Sequence, residues 1–237
     1  MLQKYSGSHS KFIIINIHKR RKEIPANLVN EIKSVEEEWA DMVSHGVGII
    51  IFAIAGPVLI YRSWTAGHSW LFYGSIIFWI TLLMVYTSST LYHSSYNLKQ
   101  RRRYRTLDHI CIYFLIAGSY TPIILYYFRD TRGWLILGTL WGMTLLGSIF
   151  KLFYTHKFKK LSTAVYLLMG WLAILIINPI LETLPVDAIT CIVIGGASYT
   201  IGVVFYLWSK LYMNHFIWHL FVLGGSMSHF LAVYFCI

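Results

Sequence analysis

Long apolar stretches alternate with short charged connections along this chain, and the length of those stretches is the first structural information it gives. A soluble α/β domain scatters Lys and Glu through its helices every turn or two. Across residues 43–237 the charges fall only in short connections. Seven apolar runs, at about 41–61, 68–95, 107–128, 133–153, 161–181, 186–208 and 213–236, each come near the roughly 20 residues needed to cross the hydrocarbon core of a bilayer. The pattern predicts an all-α polytopic membrane protein, a bundle of seven transmembrane helices over residues 41–237 behind a tail over residues 1–40. Within the tail, Leu28, Ile32, Val35 and Trp39 recur at helical spacing, which predicts an amphipathic helix over 25–40 leading into the membrane. Residues 12–17 read as a short strand or interfacial segment, and no cleaved signal peptide is expected.

Finer punctuation sits inside the runs. Pro57 and Pro122 fall within spans and are expected to kink them, whereas Pro179 and Pro185 are expected to bracket a turn. Gly138 and Gly142 make a small-residue face that predicts close approach of a neighbouring helix.

Composition supports the membrane reading and charge adds an orientation. Apolar residues make up 57% of the chain and charged residues 13%, a balance that suits dissolution in a bilayer. The net charge of +10 invites a nucleic-acid reading, but the basic residues lie in the tail and in particular connections, where they orient spans, so no nucleic-acid partner is expected. Lys99, Arg101, Arg102, Arg103 and Arg105 follow the second run, Lys151, Lys157, Lys159 and Lys160 the fourth, and Lys210 the sixth. The alternate connections are poorer in Lys and Arg. This asymmetry predicts a cytoplasmic N-terminus and a C-terminus outside. Cys111, Cys191 and Cys236 lie singly in apolar runs, with no metal-binding or redox spacing.

Polar residues inside the runs carry the chemistry. His215 and His219, four apart, stack on one face of the seventh span. Ser89 and His93 repeat that spacing on the second, and Asp108 opens the third. His93 lies about 9 Å of helix before Lys99 and His215 about 7 Å past Lys210, so these groups share one depth near the cytoplasmic side. Three imidazoles that leave a fourth position open form the donor set of a catalytic zinc, whereas magnesium or calcium would want more carboxylates. Asp108 is then placed to hold or deprotonate a water, and Ser89 to hydrogen-bond a ligand ring, a carboxylate or a substrate carbonyl. His45 lies at the same depth on the first span and is a candidate to support a ligand. A blander reading stands beside this one, in which membrane histidines serve as interhelical hydrogen-bonders and Asp108 as an interfacial counter-charge. His229 lies ten residues past His219, about 15 Å, too far to share an ion. His9, His18, His68 and His156 are expected to be solvated.

The sequence also resembles a family. Ser89-Thr-Leu-Tyr-His93-Ser, the run from Leu107-Asp108 to Tyr-Thr-Pro122, and His215-Phe-Ile-Trp-His219 look like the three motifs of the hemolysin III branch of the PAQR (progestin and adipoQ receptor) proteins. Glu38-Trp-Ala-Asp41-Met-Val-Ser-His45-Gly looks like that branch's N-terminal motif, with Asp41 where many members have Asn. The likeness covers residues 36–237. It implies a zinc ion held by His93, His215 and His219, with Ser89 and Asp108 as associated polar residues, Asp108 acting through water. It also implies a bacterial inner membrane. In the receptor branch the site is linked to hydrolysis of ceramide-type amides, while the hemolysin III branch is named for lysis. Three functions are therefore carried forward: a zinc-dependent hydrolase of a membrane lipid amide or ester, a receptor or sensor whose zinc is structural and whose ligand is a membrane lipid, and a lytic protein.

Overall fold

The apolar runs fold into helices joined by tight connections, in a computed structural model that describes residues 34–155 and 157–237. The readings at residues 12–17 and over the first part of 25–40 lie outside the described residues, as do His9, His18 and His156. The described helices are α1 (Val35–Thr65), α2 (Ser69–Ser94), α3 (Leu98–Tyr127), α4 (Thr131–Tyr154), α5 (Lys159–Gly170), α6 (Ile177–Thr183), α7 (Val186–Leu207) and α8 (Asn214–Phe235). A 3-10 turn at Leu172–Ile176 joins α5 to α6, and the three pieces make one span. Among the described residues, seven segments are thus long and apolar enough to cross a membrane, and the chain is an integral multi-pass membrane protein. Its outside is aliphatic: Ile54, Leu146 and Val186 are 68%, 70% and 76% exposed, a surface that suits lipid and not water.

The helix α1 buries one stripe, whereas the central part of α3 is buried on most of its sides. On α1 the stripe is Asp41, Ser44, His45, Gly48, Phe52, Gly56, Leu59 and Ser63, in steps of three and four. Its first three members are polar, so α1 brings hydrogen-bonding groups inward at its N-terminal end. Gly48 lets the α1 backbone lie against the Tyr86 ring of α2, and Gly56 lets it lie against Trp79. The Trp79 indole N–H donates to the Phe52 carbonyl at 2.9 Å. On the other side of α2, Gly74 packs on the backbone of Pro122 in α3. Gly138 and Gly142 do not draw a helix in, because a Cβ at either would meet nothing within 4 Å. Instead, α4 meets the Tyr113 ring of α3 at Gly147.

Two boundaries differ from the reading of the sequence, each for a local reason. The basic segment from Lys99 to Arg105, expected as a connection, forms the first turns of α3. Asn97 starts that helix by accepting the Lys99 and Gln100 N–H groups at 3.0 and 3.2 Å. Pro179 does not bracket a turn but sits in the first turn of α6, where its missing N–H is no loss. Lacking an N–H for the Leu175 carbonyl, Pro179 breaks the preceding helix. Tyr120 of α3 mends the break: its hydroxyl donates to the Gly170 carbonyl at 2.6 Å and accepts the Ala173 N–H at 3.1 Å.

Inside the bundle, α3, the broken span, α7 and α8, with His45 of α1 and Val85 of α2, line a partly open apolar cavity of about 370 Å³. It begins at His45 and Asp108 and extends along α3 to Phe128.

Candidate metal centre

The polar stripe of α1, the last turns of α2 and the first turns of α8 meet at one end of the bundle. The chain enters α8 through Met213, whose backbone is left-handed (φ 57°) and whose N–H donates to Glu37 of α1 at 3.4 Å. This pins the first turn of α8 beside that of α1, with His215 and His219 facing His93 of α2. Ring centroids are 5.1 Å apart for His93 and His215, 5.2 Å for His93 and His219, and 4.6 Å for His215 and His219. One ring nitrogen from each lies within 4.8 Å of the other two. His93 and His219 are buried and His215 is half-buried.

The outer edges of two of these rings show which nitrogen faces inward. His93 Nδ1 lies 2.8 Å from the Glu38 carboxylate and 3.5 Å from that of Asp41. Glu38 is in turn ion-paired with Arg101 of α3. His219 Nδ1 lies 3.1 Å from the Asp41 carbonyl and 3.0 Å from the Ser44 hydroxyl, which itself donates to that carbonyl at 2.8 Å. Ionised carboxylates and carbonyls only accept, so both Nδ1 atoms are the donors, and in the neutral imidazole Nε2 is then the nitrogen with the lone pair. His93 Nε2 is buried and has no hydrogen-bond partner. An imidazole whose outer N–H rests on an oxygen and whose inner lone pair faces a cluster of like groups is oriented as a metal ligand. Glu38 and Asp41 bring two carboxylates to the outer side of His93, of which Glu38 is ion-paired with Arg101, and buried charge is costly unless balanced. The residues therefore fit a divalent cation.

The other expected residues surround this trio. Asp108 is buried, faces Ser89 of α2 and lines the near end of the cavity. Its carboxylate is not among the oxygens grouped with the histidines. Those belong to Glu38 and Asp41, gathered with His93. His45 stacks on His219 at 3.5 Å with an interplanar angle of 14° and meets Tyr86 edge-on at 5.0 Å. It supports the ligand ring by packing, since neither of its nitrogens makes a hydrogen bond. His68 pairs with the Tyr126 hydroxyl at 3.1 Å rather than relying on solvent.

Glu38, Ser44 and Arg101 were not singled out by the sequence reading. A signal existed for two of them: Glu38, Asp41, Ser44 and His45 share one helical face. Arg101 needed the Asn97 cap, without which it reads as one more loop cation.

Comparison with known proteins matches the family described as "Haemolysin-III related" over residues 33–230, which includes every residue of this centre. The chain is 40% identical over 201 residues to Hemolysin-3 of Bacillus cereus, covering 85% of this chain and 92% of that one. It is 39% identical over 202 residues to the Hemolysin-3 homolog of Bacillus subtilis, covering 85% and 95%. The human Monocyte to macrophage differentiation factor is 29% identical over 212 residues, covering 84% and 83%.

Proposed function

The chain belongs to the haemolysin-III-related family of the PAQR superfamily, and on that premise we propose that it is a zinc-dependent hydrolase of a membrane lipid, cleaving an amide or an ester. The observation that carries this reading is the junction at His45, which stacks on His219 of the histidine trio and, with Asp108, lines one end of an apolar cavity of about 370 Å³. That volume falls in the range of small-molecule sites. Zinc held by His93, His215 and His219 would polarise a lipid carbonyl and acidify a water. Asp108 accepts the proton of the attacking water and delivers it to the leaving amine or alkoxide. Ser89 lies beside Asp108 and its buried hydroxyl has no hydrogen-bond partner among the described residues, so it is free to donate to the carbonyl oxygen of a bound lipid. The aliphatic cavity wall receives the acyl chain and keeps bulk water from the reacting carbonyl. The Lys and Arg asymmetry supports a cytoplasmic N-terminus with the metal end inward, in a bacterial inner membrane.

The test is lipid mass spectrometry on zinc-loaded protein reconstituted with amide- and ester-linked lipids. Wild type releases fatty acid, and Asp108→Asn loses at least about 100-fold in rate while keeping its metal and its thermal stability. Absence of product from the metal-loaded wild type, or an Asp108→Asn variant as fast as wild type, contradicts the reading. A second reading, a receptor or sensor with structural zinc, draws on one observation: the centre fastens α1, α2 and α8 together. Under it no lipid product forms, and His93→Ala chiefly lowers the unfolding temperature. The lysis in the bacterial relatives' names gives a third outcome, dye release from liposomes that does not depend on the histidines.

A further inference from the structure

His229 is the polar group deep in the cavity that the centre leaves unused. It follows His219 by ten residues on α8, so it sits roughly 15 Å farther along the helix, and its ring lines the cavity wall. Two features show a built position. Gly195 of α7 leaves the space the imidazole occupies, since a Cβ there would press on its Cδ2 and Nε2 atoms. Tyr199 of α7 meets the ring edge-on at 5.4 Å while its own hydroxyl is engaged with Ser226 at 2.9 Å. The imidazole's hydrogen bonding remains incomplete. Nε2 is the nitrogen closed against α7, in the space Gly195 leaves, and the Ile192 carbonyl, one turn earlier on α7, can take only an N–H from the ring. A neutral imidazole with its proton on Nε2 keeps Nδ1 as an acceptor, and no donor among the described residues fills it. The other deep polar groups on the wall are satisfied: Tyr120 by the broken span, Ser119 by the Ile116 carbonyl and Thr200 by the Gly196 carbonyl.

The geometry points to a hydroxyl-recognition subsite: a lipid with its carbonyl at the metal end and a hydroxyl in the middle of its chain donates that hydroxyl to His229. This inference rests on the lipid reading of the cavity but not on hydrolysis. An unfilled buried acceptor costs more than a made hydrogen bond returns, so the chain bearing a hydroxyl is favoured over the plain one by about tenfold.

The test compares two fatty acids of equal length, stearate and a hydroxystearate with its hydroxyl mid-chain, titrated into protein in lipid nanodiscs. Wild type and Asp108→Asn both bind hydroxystearate about tenfold more tightly. His229→Phe, which keeps an aromatic ring and removes the acceptor, binds the two alike, and His229→Gln, which restores an acceptor oxygen, regains part of the preference. Equal affinities in the wild type overturn the proposal, and that comparison decides it even if His229→Phe does not fold. A preference that survives in His229→Phe overturns it as well. Persistence of the preference in protein that releases no fatty acid removes the hydrolase reading and leaves the subsite. Hydrolysis with no preference does the reverse.

Discussion

Glu38 is the residue whose role depends most on its exact neighbours. It connects the charge of Arg101 to the outer N–H of His93, so its carboxylate both fixes the ring and raises its basicity. Glu38→Gln keeps the shape and an acceptor oxygen but not the charge. The expected result is a fall of about 10- to 100-fold in zinc affinity, read by competition with a chromophoric chelator. Unchanged affinity would show that Asp41, 3.5 Å from the same nitrogen, suffices alone. Asp108→Asn is expected to behave oppositely, leaving zinc affinity near wild type and removing turnover. Sequence alone places Glu38 at the end of a run of three acidic residues, Glu36, Glu37 and Glu38, and at the start of the motif it shares with the family, without giving it a role. Only the phase of α1 and a contact across 55 positions separate it from its neighbours.

At the scale of elements, the broken fifth span and Tyr120 are the pair to test. A helix interrupted inside a membrane exposes backbone groups that have no water to bind, and Tyr120 supplies both a donor and an acceptor to that gap. Tyr120→Phe therefore lowers the stability of the bundle by about 1–3 kcal/mol, seen as a lower unfolding temperature with zinc content unchanged. A variant as stable as wild type would mean that the gap is satisfied by other means. Proline and glycine patterns were legible here only in part. Pro179 announced an interruption, yet its effect falls on the carbonyls before it and not on a turn after it. Gly138 and Gly142 have the spacing of a packing face but meet no neighbour, because small residues permit close approach without choosing a partner. The start of α3 was hidden for another reason. Hydropathy reports where lipid begins, and the capped helix runs two turns past that boundary.

Over the whole molecule, the seven-span layout was legible because hydrocarbon thickness sets run length, and length is visible in sequence. The shared depth of His93, His215 and His219 could be read for the same reason, by counting helical rise from the flanking charges. The rotation of each helix, and therefore which oxygen meets which nitrogen, could not. Glu38 on His93, the Asp41 carbonyl on His219 and the stacking of His45 are consequences of packing between segments far apart in the chain. The cavity is of the same kind, since no single helix encodes it. His45 links the two features, since it stacks on His219 and lines the near end of the cavity. Both the catalytic and the structural role of this centre require a cation among the three imidazoles. Metal analysis of the purified protein, with X-ray absorption at the zinc edge, tests it most directly. The expected result is stoichiometric zinc with nitrogen ligands at about 2.0–2.1 Å, lost in a His215→Ala variant that remains folded. Wild-type protein that binds no zinc, or a His215→Ala variant with undiminished zinc, would contradict it.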